Sequence, residues 1–132
     1  LTGTSNGGAT VHAYGVKVAA DSFGKNGTGP VMRADGQPAT SIARDALAAG
    51  KALALVQSGA IYEPGTAAFV ASVDDRDDTA AIAQQVIESG AAVIMAGGEA
   101  VLLPEGVEGR HGMGTRTDGL DLIARARERG YT

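Results

Sequence analysis

Two short, nearly all-apolar runs do most to limit what this chain can fold into. Ala52-Leu53-Ala54-Leu55-Val56-Gln57 and Ala92-Val93-Ile94-Met95 each follow a helix-like stretch ended by glycine, Gly50 and Gly90. Runs of this length, without polar alternation, predict strands buried on both faces, and a helix before each favours parallel pairing. The whole order reads helix, long loop, helix, strand, two helices, strand, long loop, helix. That order implies right-handed crossovers and an α/β fold, a three-layer α/β/α arrangement with a mostly parallel sheet. Two parallel strands make a poor sheet, so only part of the sheet is expected in this chain. Residues 1–132 thus read as a single partial α/β segment of a larger domain. Leu1-Thr2-Gly3 is neither an initiator methionine nor a signal peptide, and Gly130-Tyr131-Thr132 reads as a helix stop leading into a strand.

The helices are read from their apolar spacing and stop signals. Residues 5–18 predict a helix of small residues, with Val11, Tyr14 and Val18 as its buried stripe. A long loop follows over 19–38, with turn signals at Asn26-Gly27 and Asp35-Gly36. Thr40 or Ser41 starts a second helix with Ile42, Ala46 and Leu47 inward, and Gly50 ends it. A short helix is expected over Gly65–Ser72 after Pro64. Asp77 or Asp78 caps another over Thr79–Glu88, with Ile82, Val86 and Ile87 in its stripe. Residues 99–117 read as a glycine-rich loop with little order. Asp118–Arg129 predicts an amphipathic helix with Leu120, Ile123 and Ala124 inward, and the arginines from Arg116 onward facing solvent.

Composition excludes several functions. A net charge of -4 gives no basic face, so nucleic acid is not an expected partner. The absence of cysteine removes disulfides, thiolate zinc sites and a cysteine nucleophile. No apolar run approaches the roughly 20 residues that span a membrane. Gly24-Lys25 and Gly50-Lys51 lack the earlier glycine and the following Ser or Thr of a P-loop. His12 and His111 have no metal-ligand spacing.

Three side chains remain as candidates. Ser5, in Thr4-Ser5-Asn6-Gly7-Gly8-Ala9-Thr10, stands where a helix starts. It fits an ordinary N-cap, and it also fits a hydroxyl that attacks a phosphoryl or acyl centre beside the positive end of the helix dipole. Glu63 follows the first strand, where ligands collect in open α/β sheets. It fits a carboxylate for a hard cation such as Mg²⁺, and equally a surface acid near a helix start. Arg76 lies in Asp74-Asp75-Arg76-Asp77-Asp78. It fits a solvated turn, or a guanidinium held by neighbouring carboxylates and offered to phosphate.

Taken together these pieces resemble the alkaline phosphatase family. Thr4 to Thr10, leading to Ala13-Tyr14-Gly15-Val16-Lys17, is similar to the family's nucleophile helix. Pro38-Ala39-Thr40-Ser41-Ile42, Ala48-Ala49-Gly50-Lys51, and Glu63 through Val73 with Arg76 and Ile82-Ala83 follow in the family's order. So do Ala96-Gly97-Gly98-Glu99, Leu103-Pro104-Glu105-Gly106, Arg110-His111-Gly112, Arg116-Thr117-Asp118-Gly119 and Gly130-Tyr131. The resemblance implies phosphomonoester hydrolysis by a metal-dependent enzyme, with Ser5 forming a phosphoserine intermediate and Arg76 clamping phosphate oxygens. It implies a pair of zinc ions, plus Mg²⁺ near Glu63 and Thr66. It further implies a phosphate monoester substrate, a homodimer and a periplasmic or secreted location.

The chain also departs from the family's pattern. Thr4 replaces the family's Asp, and Gly65 falls at a family Thr position unless Thr66 takes it by a one-residue slip. The family's zinc ligands lie outside the matching stretch. A fragment of a working enzyme is therefore expected, inactive by itself. The alternatives are an inactive phosphate- or metal-binding module and a related phosphodiesterase or sulfatase-like hydrolase.

Overall fold

Residues 3–132 are described by a computed structural model. In chain order they form α1 (Ser5–Tyr14), α2 (Ile42–Ala48), β1 (Ala54–Ala60), α3 (Pro64–Ala67), α4 (Thr79–Ile87), β2 (Val93–Gly97), a 3-10 turn (Glu99–Leu102) and α5 (Leu122–Glu128). β1 and β2 pair in parallel through a crossover carrying α3 and α4, as expected of an α/β chain. Among the described residues no helix is long and apolar enough to cross a membrane.

The sheet is covered on one face only. Its register sets Leu55 beside Ile94, with Ala54 beside Val93 and Val56 beside Met95 on the opposite face. Leu55 is buried against the helices, whereas Val56 is 58% and Met95 61% exposed. The expectation of strands buried on both faces is corrected: among the described residues, helices pack against the Leu55 side alone. An unbroken apolar run reports that both faces suit burial, and it carries no information on which segment covers each.

Helix α4 supplies the centre of the core. The Asp78 carboxylate accepts from Ala81 N–H at 3.1 Å, satisfying one of the orphan donors at the helix start. Ile82, Ala83, Val86 and Ile87 then fall on one buried face, and join Leu55, Ile61, Val70, Phe23 and Leu122 in a single cluster. The expected cap, stripe and end at Gly90 are all present.

Helix α1 differs from its expected form. It stops at Tyr14 because Gly15 turns left-handed, with φ 67°, and donates its N–H to Val11 at 2.8 Å. Its buried face is Asn6, Gly7, Ala9, Thr10 and Ala13, while Val11, Tyr14 and Val18 are only partly covered. Small side chains win this face because α1 packs mainly on α3, whose Ala67 is fully buried. In α2, Ser41 is the cap and turns inward, so Ile42 is 65% exposed and Ala43 faces the core instead.

The glycine-rich stretch after β2 is more ordered than expected, and the reason is Arg116. Its side chain is fully covered rather than solvated. Nη1 donates to the carbonyls of Ala80 at 3.0 Å and Val101 at 3.2 Å, and Nε and Nη2 form a fork on the Asp118 carboxylate. Asp118 also accepts from Leu120 N–H, so α5 starts later, capped by Asp121, with Leu122 fully buried and Ala124 exposed.

Arg116's hydrogen bonds hold the Asp118 carboxyl below its usual pKa. A depressed folded-state value means the link stabilises fully above the ordinary aspartate value of about 3.9 and is lost as pH falls through the lower folded value. Asp118→Asn is therefore expected to flatten the acid limb of the unfolding curve. Superimposable acid limbs for the two proteins would remove this pair from the stability account.

Candidate active site

Thr4, rather than Ser5, caps α1. Its backbone is extended, and its Oγ1 accepts from Gly7 N–H at 3.2 Å and from Asp21 N–H at 3.1 Å. This settles one of the alternatives left by the sequence. Ser5 occupies the first helical position, exposed, with its hydroxyl released from capping.

Glu63 sits just beyond the carboxyl end of β1. A turn closed by Glu63 N–H on the Ala60 carbonyl at 2.9 Å, with Ile61 buried beneath it, brings the chain round into α3. Pro64 fills the first helical position, where its missing N–H costs nothing. Glu63 makes no side-chain cap bond there, so its carboxylate is directed elsewhere.

Arg76 is presented by a tight acidic loop. Asp75 accepts from Asp77 N–H at 2.9 Å and Asp78 is committed to capping α4. Of the two alternatives left by the sequence, a guanidinium held by the acids beside it in the chain is not the one observed: Asp75 and Asp78 bind backbone N–H groups and Asp74 pairs with Lys25. Arg76 instead reaches away from its own loop. Nη1 donates to Ser5 Oγ at 2.9 Å, and Nη2 lies 3.6 Å from Glu63 Oε2.

Ser5, Arg76 and Glu63 thus converge, although Ser5 and Arg76 are 71 positions apart. Thr66 lies half-buried within α3, and among the described residues no hydrogen bond ties it to the other three. A hydroxyl at a helix N-terminus, touched by a guanidinium, is suited to an anion: the helix dipole and the cation both favour negative charge. The same pair lowers the cost of charge developing on the serine oxygen.

Contacts that sequence reading missed fix this geometry from behind. The fully buried Thr10 hydroxyl has the Asn6 carbonyl at 2.8 Å and the Ser22 carbonyl at 3.1 Å as acceptors for its single proton, and accepts from Gly24 N–H at 2.9 Å. Tyr14 donates its hydroxyl to the Gly24 carbonyl at 2.8 Å. Burial raises the Tyr14 pKa, partly offset by the Arg44 charge, which keeps it a neutral donor. The signal available was the sequence position of Thr10 one turn after Asn6, facing inward with the small residues.

For metals, the donor set is uneven. Glu63 offers a hard carboxylate oxygen at a strand end, as Mg²⁺ requires. Among the described residues, no group of three or more His, Cys, Asp or Glu side chains is placed to hold a metal ion. The zinc pair implied by the resemblance therefore does not fit these residues.

Comparison with known proteins gives a consistent result. A family model described as "Alkaline phosphatase" matches residues 2–132. The solved alkaline phosphatase of Thermus thermophilus is 29% identical, with a TM-score of 0.78 over 98% of this chain and 24% of its own. That of the Antarctic bacterium TAB5 is 22% identical, with a TM-score of 0.76 over 98% of this chain and 33% of its own. A histidine-to-aspartate variant of the TAB5 enzyme, with Mg bound in its M3 site, gives 22%, 0.75, 98% and 32% in the same order. The chain spans about a quarter to a third of these structures' lengths. No curated protein sequence matches it.

Proposed function

Because the chain belongs to the alkaline phosphatase family, we propose that it supplies the nucleophile and the phosphate clamp of a metal-dependent phosphomonoesterase, as one segment of a larger hydrolase domain. The observation that carries this reading is the 2.9 Å contact between Arg76 Nη1 and Ser5 Oγ. Ser5 Oγ attacks phosphorus, the bond to the substrate's alcohol oxygen breaks, and the serine proton leaves as the alcohol departs protonated. Water then displaces the serine oxygen, giving inorganic phosphate and restoring the hydroxyl. Arg76 orients the transferring group through its planar fork and offsets its charge.

Glu63 would hold Mg²⁺ through its carboxylate, with Thr66 as a second oxygen; Mg bound in the TAB5 variant supports metal dependence. When bound, the cation supplies charge neutralisation beside the clamp. Within this chain, Ser5 supplies the attacking oxygen of the first displacement and the departing oxygen of the second, and Arg76 holds the transferring group through both. A periplasmic or secreted location and a homodimer remain part of the proposal on family resemblance.

A second reading, an inactive phosphate- or metal-binding module, rests on Thr4 standing beside Ser5 where the family has Asp. One experiment separates them. The full-length protein, assayed on a phosphate monoester, a diester and a sulfate ester, is expected to hydrolyse the monoester fastest. Arg76→Ala should weaken inorganic phosphate inhibition by about 1.5–3 kcal/mol, the value of a hydrogen bond to a charged group. Phosphate binding without turnover would favour the module, and a preference for diester or sulfate would move the chain to the related hydrolases.

A further inference from the structure

Arg76 is long and 39% exposed at its side chain, so something must limit where its loop can go. The segment before the loop is held at two points by residues 22–25. Val73 N–H donates to the Phe23 carbonyl at 3.2 Å, and Ser72 Oγ donates to the Gly24 carbonyl at 3.0 Å. Residues 22–25 are themselves fixed to α1 at Ser22 and Gly24, through Thr10 and Tyr14. They therefore form a brace between the helix that bears Ser5 and the loop that bears Arg76.

The brace ends in an ion pair. Lys25 Nζ lies 2.6 Å from Asp74 Oδ1, two residues before Arg76, with the lysine side chain only 19% exposed. Asp78, two residues after Arg76, is fixed as the α4 cap. The loop is thus pinned at both ends, one of them by Lys25. We infer that Lys25 is a positioning residue for Arg76: through Asp74 it holds the acidic loop at the spacing from α1 at which the guanidinium meets both Ser5 and an anion beside it. This inference rests on the reading of Arg76 as the phosphate clamp.

The ion pair is half-exposed, so its removal loosens the loop without unfolding it. Titration of the full-length protein with inorganic phosphate, read by calorimetry, tests the idea in a double-mutant cycle. Lys25→Met is expected to weaken phosphate binding on the order of five-fold, the span open to such a pair. Lys25→Arg, which keeps the charge and reach, should restore most of it. In an Arg76→Ala background, Lys25→Met should cost nothing further, because its effect passes through Arg76.

Phosphate binding unchanged in Lys25→Met, while Arg76→Ala weakens it, overturns this inference alone. An equal loss in both backgrounds overturns it too, since Lys25 would then act as an independent charge. If Arg76→Ala itself leaves phosphate binding intact, the clamp reading falls and this inference falls with it.

Discussion

Replacing Ser5 with alanine is expected to abolish phosphoenzyme formation in the full-length protein. The substitution removes one exposed oxygen and no cap bond, because Thr4 carries the capping role. The fold should therefore be untouched, and circular dichroism and melting temperature should match the unaltered protein. Activity should fall by roughly three orders of magnitude or more, as when a nucleophile is deleted from a concerted site. Acid quenching during turnover of a labelled phosphomonoester would show phosphoserine in the unaltered protein and none in the variant. Labelled phosphoserine persisting in Ser5→Ala would exclude this residue as the nucleophile.

Gly24→Ala is expected to damage the fold severely. Gly24 has φ 67°, a left-handed backbone that costs an L-residue about 1–2 kcal/mol. A Cβ there would also lie 2.0 Å from the Ala71 carbonyl oxygen, which is backbone and cannot rotate away. Relief requires residues 22–25 to separate from residues 71–74, breaking the hydrogen bonds between them. The total loss should reach roughly 3–5 kcal/mol, a large fraction of a domain's stability. Gly36→Ala is the control: φ is 80°, but its Cβ would point into open space. Denaturant unfolding should show a much smaller loss at Gly36, and equal losses would mean that the close approach at Gly24 carries no energy.

The parts of the fold set by short-range pattern were legible. Helix α4 has a carboxylate cap, an apolar stripe at helical spacing and a glycine stop, and all three act locally. Both strands were found from their short apolar runs, but β1 starts two residues later than expected and runs on through Ser58 and Gly59 to Ala60, and β2 extends to Gly97, because parallel pairing continues past the apolar stretch. Their covering was not legible, because Val56 and Met95 look the same in sequence whether a helix lies over them or not. Arg116 was misread for a related reason: its pairing with Asp118 two residues on fits an exposed turn as well as a buried one, and the partners that mark its burial, the carbonyls of Ala80 and Val101, are backbone atoms distant in sequence.

At the site, motif order brought Ser5, Arg76 and Glu63 to attention, and the structure sets them side by side. What holds them there was hidden. The brace of residues 22–25 comes from a long loop without periodicity, and its bonds to Thr10, Ser72 and Val73 depend on how that loop folds back. Nor could sequence show that Thr4 caps the helix while its neighbour goes free, since either residue is an acceptable cap.

The uncovered strip of Ala54, Val56, Val93 and Met95 has a practical consequence at the bench. A polypeptide of this length, purified by itself, exposes a water-averse ribbon on paired strands, the kind of surface on which copies adhere to one another. Concentrated stocks should turn cloudy, and sooner in ammonium sulfate than in dilute buffer, because excluded salts strengthen such adhesion. Placing glutamate at Met95 would be a rational first step toward a well-behaved sample.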